Sequence, residues 1–149
     1  MFENEDKPSL TAIQWFNKGY DYDVKEDYDN AIFAYTQAIQ LNPQDADAYN
    51  NRGAIYDSKG EYDLAIEDYT KAIALNPEDM DTYTNRGNVY LTKEEYELAI
   101  ADYNKTLALD PGAIDVYINK TFAYEQSGQY TSVEIEELKQ KIRDLGGQI

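Results

Sequence analysis

The chain has no cysteine and no histidine. The first absence excludes disulfides, thiolate nucleophiles and cysteine-based metal sites. The second removes the commonest general base and transition-metal ligand. Positive charge is scarce: 13 Lys and Arg stand against 29 Asp and Glu, a formal charge of -16 on 149 residues. A surface that neutralises phosphates needs Lys and Arg, and so does attachment to an anionic membrane, so nucleic acid and membrane partners are not expected. The start, MFENEDKPSL, is acidic and has no apolar core of the kind a secretory signal carries. No stretch approaches the ~20 apolar residues of a membrane helix, and a cytoplasmic location is expected. Phosphate loops, dinucleotide fingerprints and nucleophile elbows are missing. DYDVKEDYD (21–29) has Glu26 where a calcium loop needs Gly. No metal or cofactor is expected, nor catalysis.

What is abundant is tyrosine, 15 residues beside 4 Phe and 1 Trp. This is enough apolar mass for a core despite the charge. The tyrosines recur with a period. Pro43, Pro77 and Pro111 are 34 residues apart, within AIQLNP (38–43), AIALNP (72–77) and TLALDP (106–111). DYDNAIFAY (27–35), EYDLAIEDY (61–69) and EYELAIADY (95–103) keep the same period. So do Gly19, Gly53 and Gly87, and Trp15, Tyr49 and Tyr83. In the second unit Tyr49, Gly53 and Tyr56 fall on one helical face. Lys59-Gly60 breaks that helix, and Tyr62, Ala65, Ile66, Tyr69, Ala72 and Ile73 form the stripe of the next. Asn76-Pro77 ends it, because the residue before proline avoids the α region. Each unit therefore reads as helix, turn, helix. One such pair cannot bury its apolar faces alone and must stack on neighbours.

The pattern resembles the tetratricopeptide repeat, whose 34-residue signature is W-x2-L-G-x2-Y, A-x3-F, P. It is matched by Trp15, Gly19, Tyr22, Ala31, Tyr35 and Pro43, then by Tyr49, Gly53, Tyr56, Ala65, Tyr69 and Pro77. The third set is Tyr83, Gly87, Tyr90, Ala99, Tyr103 and Pro111. The resemblance implies an all-α fold, a right-handed α–α superhelix of three full units (12–45, 46–79, 80–113). A degenerate fourth pair (114–147) follows as a cap. It carries Thr121 in place of Gly and Val133 in place of Ala. Ile135, Leu138, Ile142 and Leu145 give its last helix an apolar face, and Gly146-Gly147 stops it. The alternative for that helix is dimerisation. Residues 9–147 make one domain, residues 1–8 are expected to be mobile, and Ser9 is a candidate N-cap after Pro8.

Where the family usually has Leu, this chain has Lys18, Arg52, Arg86 and Lys120. Sixteen residues on stand Ala34, Asp68, Asp102 and Glu136. A base on one helix and an acid on its partner predict the ion pairs Arg52–Asp68 and Arg86–Asp102. Partly exposed pairs of this kind contribute about 0–1 kcal/mol. One position earlier, Asn17, Asn51, Asn85 and Asn119 form a ladder of amides. The resemblance places them on a concave groove, where each amide either holds a peptide backbone or bonds a neighbouring unit.

Some members of the family clamp acidic chaperone tails with Lys, Asn and Arg. Those places hold Phe16 and Tyr20, Asn51, then Asp81 and Asn85, and only Asn51 matches. Shifting by one unit gives Asn50, Ala54, Asn85, Asp115 and Asn119, again one match. Repulsion would meet an anionic tail here, so that role is rejected. The remaining groove positions put Phe16 and Tyr20 at one end and Ile118 and Phe122 at the other. Asp47, Asn50, Asp57, Asp81, Asn88 and Asp115 lie between, with Glu78 and Asp79 on the adjoining turn. The expected role is a protein-interaction scaffold for a basic partner with apolar anchors. The alternative is a self-assembling module, a homodimer through the groove or the last helix. Two NKT sequons, at Asn104 and Asn119, fall in expected helices and are not read as glycosylation sites.

Overall fold

Residues 10–148 are described by a computed structural model. The expectations for residues 1–8 and for Ser9 lie outside them. Eight helices follow one another among the described residues: α1 (Ala12–Asp23), α2 (Tyr28–Leu41), α3 (Ala46–Ser58), α4 (Tyr62–Leu75), α5 (Met80–Thr92), α6 (Tyr96–Leu109), α7 (Ile114–Ser127) and α8 (Ser132–Asp144). Consecutive helices pack as antiparallel pairs, and the pairs stack in chain order.

The helix ends are written locally. Asn42, Asn76 and Asp110, each before a proline, leave the α region with ψ of 86°, 87° and 95°. Asp45 and Asp79 then cap α3 and α5 by accepting backbone N–H groups of Ala48 and Asp81 at 3.1 Å. Thr11 caps α1, with Gln14 reaching back to close a capping box. Within each pair the turn needs a left-handed residue at one fixed place. Glu26, Gly60, Glu94 and Gly128 hold it, at φ of 57°, 75°, 61° and 65°. In the first three units the N–H of the residue after the left-handed one returns to the helix: Asp27 to Tyr22 O at 2.9 Å, Glu61 to Tyr56 O at 2.8 Å and Glu95 to Tyr90 O at 2.9 Å.

Tyr35, Tyr69 and Tyr103 are essentially fully buried. A Cβ added to Gly19, Gly53 or Gly87 would meet their ring atoms at 2.7, 3.0 and 2.8 Å. The glycine thus lets the second helix of a pair lay a phenol ring on the backbone of the first. Each ring then continues into the next unit. Ala31 and Tyr35 meet Ile55, Ala65 and Tyr69 meet Val89, and Ala99 and Tyr103 meet Val116.

The fourth pair departs from this plan. Thr121 replaces the glycine, and Glu137, exposed, stands where a tyrosine ring would cover it. The Thr121 hydroxyl is satisfied by its own helix, donating to Tyr117 O at 2.8 Å. Ile142 alone of α8 is fully buried, while Tyr124 and Tyr130 stack at 3.5 Å between centroids. The expected apolar face of Ile135, Leu138 and Leu145 is only half-buried.

First helices of successive units touch, α3 with α5 and α5 with α7, with no comparable contact between second helices. The stack therefore curves with the first helices on its inner side.

Replacing Gly53 with Leu should overpack the α3–α4 contact and cost about 1–3 kcal/mol; an unchanged urea or thermal midpoint contradicts the ring-on-glycine account. Replacing Glu94 with Gly should relieve the left-handed turn and raise stability by about 0.5–1 kcal/mol, the αL strain removed less the added unfolded-chain freedom. Equilibrium urea unfolding of the two proteins measures the difference.

Candidate interaction surface

The sequence asked why Asn-Arg-Gly sits between aromatic residues on the first helices. The glycine is the seat of the ring. The arginine faces sideways, into the angle between helices. Arg52 Nε and Nη2 bind Asp68 Oδ2 and Oδ1, both at 2.7 Å, and Nη1 donates to Thr36 Oγ1 at 2.9 Å. Arg86 repeats this with Asp102 at 2.8 and 2.7 Å and Thr70 at 2.9 Å. One guanidinium therefore ties its own helix to the second helix of its unit and to that of the unit before. Tyr49 and Tyr56 flank Arg52 at 5.8 and 5.9 Å from their ring centres. Burial works against the Arg52 charge, but the hydrogen bonds and the charge of Asp68 outweigh it and lift its pKa above the usual value.

The pairs are less exposed than the sequence reading allowed. The Asp68 and Asp102 side chains are each 6% exposed, and the arginines 16% and 17%. Removing one partner strands a buried charge, so the surface-pair figure of about 0–1 kcal/mol does not apply here. The threonines were not singled out from the sequence. Their signal is the 34-residue spacing of Thr36 and Thr70, sixteen residues before each arginine. The outer units use other means. Lys18 and Lys120 lie 5.5 and 5.3 Å from the Trp15 and Tyr124 ring centres. Glu136, aligned with Asp68 and Asp102, binds Arg143 at 2.7 Å.

The amide ladder is largely spent inside the stack. Asn51 donates to Tyr35 OH at 3.4 Å, Asn85 to Asn50 Oδ1 at 3.4 Å and Asn119 to Asn88 Oδ1 at 3.0 Å. Asn50 also accepts from Thr82 at 3.1 Å, and Asn88 from Tyr103 OH at 2.9 Å. The bonds of Asn85, Thr82 and Asn119 join neighbouring first helices, while Asn51 reaches the second helix of the unit before and Tyr103 bonds Asn88 within its own unit. For a ligand, Asn51, Asn85 and Asn119 retain their side-chain oxygens. Asn17 is exposed. Asp79, expected on the groove margin, is occupied as a cap and by the Thr82 hydroxyl at 2.5 Å.

The charged and apolar positions stay open. Asp47, Asp81 and Asp115 are exposed, one helical turn before the ladder residues Asn51, Asn85 and Asn119. Tyr20 and Phe122 are 57% and 48% exposed, with Ile118 beside the latter at 37%. Phe16 is half-buried, edge-on to Tyr35 at 5.5 Å, and with Ile13, Asp45 and Asp47 lines a hollow of about 130 Å³. Asp57 is half-buried, and so is Asp23, its counterpart one unit earlier, which the sequence reading passed over. Desolvation raises the pKa of both above the ordinary carboxylate value. Each first helix contains a single base, and all four are drawn toward aromatic rings or buried acids.

An array of stacked helical hairpins, three of them locked by a ring over a glycine, defines the class of protein. The chain belongs to the tetratricopeptide repeat family: its profile matches residues 46–79 and 81–112, and a second TPR repeat profile matches residues 19–58. No curated protein matches the chain. Among solved structures, the crystal structure of MamA is 28% identical, with a TM-score of 0.86, covering 91% of this chain and 78% of that one. The first TPR of Spaghetti (RPAP3), bound to the HSP90 peptide SRMEEVD, is 25% identical with a TM-score of 0.77, covering 80% of this chain and 94% of its own. The Arabidopsis OM64 TPR domain is 25% identical with a TM-score of 0.74, covering 77% and 95%. No helix among the described residues is long and apolar enough to cross a membrane.

Truncating Arg52 to Ala should destabilise by about 2–4 kcal/mol, because Asp68 is left charged and buried. The double change Arg52→Met with Asp68→Leu should recover most of that loss. A double-mutant cycle in urea reads both, and additivity of the two single losses would remove the pairing account.

Proposed function

We propose that the chain is a non-enzymatic scaffold that receives a basic segment of a partner protein, with apolar anchors, on its inner face. The observation that carries this reading is the disposition of charge on the first helices. Their bases are consumed by the packing, and Asp23, Asp47, Asp57, Asp81 and Asp115 are left to face a ligand. Complementary charge steers encounter and selects against acidic partners. The exposed Tyr20 at one end and Ile118 and Phe122 at the other suit apolar anchors. Peptide recognition by a relative of the same fold, printed for the Spaghetti domain and the SRMEEVD peptide, supports the general role. The acidic character of that peptide is the reverse of what this surface favours. A cytoplasmic setting belongs to the same reading and rests on the sequence alone.

The test is an affinity capture with wild type and with Asp47→Lys/Asp81→Lys as bait, washed at low and moderate salt. The expected result is a prey lost in the variant and weakened by salt, while the variant's thermal midpoint stays near wild type. The SRMEEVD peptide should not bind the wild-type chain. A prey indifferent to the two substitutions, or firm binding of the acidic peptide, overturns the assignment. Recovery of the bait alone, with a stable dimer in sedimentation, turns the reading to self-assembly.

A further inference from the structure

The curvature of the stack opens a wedge on its outer side. Successive first helices touch, and second helices have no comparable contact, so α2 and α4 stand apart over α3. Between them lies a hollow of about 560 Å³, within the range of ligand sites, about 300–1,000 Å³. Tyr49 and Arg52 of α3 form its floor, and Ile39 of α2 and Ala74 of α4 give it apolar walls. Glu67 and Lys71 stand at its rim, both exposed.

The charges here are not alike in standing. Asp68 also lines the hollow, but Arg52 holds it through two bonds of 2.7 Å. A guanidinium carries more N–H groups than Arg52 spends: three are bonded, to Asp68 and Thr36, and the rest have no partner among the described residues. The paired lysines of the described residues are Lys59, Lys93 and Lys139. Lys71 has no such partner, and neither has Glu67. These two lie one helical turn apart on α4, so their ends reach the same space. With Arg52 and Lys71 against Glu67 and Asp68, the hollow is electrically balanced. A ligand of one sign is opposed by one rim residue, whereas a ligand carrying both charges side by side satisfies both. The combination occurs once. Where the second unit has Glu67 and Lys71, the first has Phe33 and Gln37, and the third has Ala101 and Lys105. The fourth has Ile135 and Lys139, and Glu125 already holds that lysine at 2.7 Å.

We propose that the wedge between α2 and α4 binds a free α-amino acid with a large apolar side chain. Glu67 takes the ammonium. Lys71 and the open N–H groups of Arg52 take the carboxylate, and the side chain lies over Tyr49 between Ile39 and Ala74. The site is on the side away from the inner face and stands or falls independently of the partner reading above. It also bears on stability. Asp68 receives Arg52 and Thr70 receives Arg86, and both line this hollow. A ligand there touches both clamps, and one that binds only the folded array stabilises it by linkage.

The experiment is an NMR titration of the full chain with L-phenylalanine, phenylpropionate, phenethylamine and glycine. The last three lack the ammonium, the carboxylate and the ring in turn. Phenylalanine should shift amides of α3 and α4 saturably, and each of the others should bind at least about tenfold more weakly. Glu67→Gln and Lys71→Gln should each weaken phenylalanine about tenfold, and Lys105→Gln, the same change one unit on, less than about twofold. Ala74→Leu should fill the wedge and abolish binding. Leucine suits an exposed helical position, so the fold is retained. Phenylalanine should raise the thermal midpoint of the wild type and leave that of Ala74→Leu unchanged. Phenylpropionate or phenethylamine binding as tightly as phenylalanine overturns the site, because one charge then suffices. So does phenylalanine binding that ignores Glu67→Gln and Lys71→Gln, or a titration that shifts no amide around the wedge.

Discussion

The contact between a phenol ring and a glycine backbone governs this structure. Gly19, Gly53 and Gly87 bring paired helices close enough for Tyr35, Tyr69 and Tyr103 to lie on them, and any side chain there would meet ring atoms at 3.0 Å or less. Close approach sets the angle of each pair. The same ring, reaching past the glycine, meets the first helix of the next unit, so pairing within a unit and stacking between units share one side chain. The guanidinium clamps, the amide bridges and the inner surface all occupy positions that this contact fixes.

The fold was legible because its determinants are local and repeated. Proline, glycine and tyrosine recur at one period, and each has a single physical use in a helix, turn, helix unit. The pairing of Arg52 with Asp68 could also be reasoned from spacing. Its burial could not, since exposure depends on the neighbouring unit. Thr36 was missed for the same reason: the third hydrogen bond of the arginine crosses a unit boundary. The Asn ladder shows the opposite limit. Spacing placed Asn51, Asn85 and Asn119 on one line, yet whether an amide faces a ligand or a neighbour depends on ångström-scale reach, and three of the four reach a neighbour. Asp23 was overlooked although it stands one period before Asp57, because unit one was read for its aromatics.

The fourth pair shows what happens when the governing contact is withdrawn. With Thr121 in place of glycine and no ring opposite, α8 contributes one fully buried residue, Ile142, and secures itself by other means. A Thr131–Glu134 capping box holds its start, and the Tyr124–Tyr130 stack holds the turn.

The crossing reach of the arginines has a consequence for how the molecule loses structure. In a linear array, each unit's fate depends on its own stability and on its coupling to the next. Arg52 couples the first unit to the second through Thr36, and Arg86 couples the second to the third through Thr70. At the next boundary the base is Lys120, held over Tyr124 in its own helix. The guanidinium tie thus joins the first three units and does not recur at the boundary with the fourth, where Tyr103 on Val116 and the Asn119–Asn88 bond remain. Opening should begin at the C-terminal pair, whose amides would exchange with solvent first, while the three ring-locked units melt together as one cooperative block.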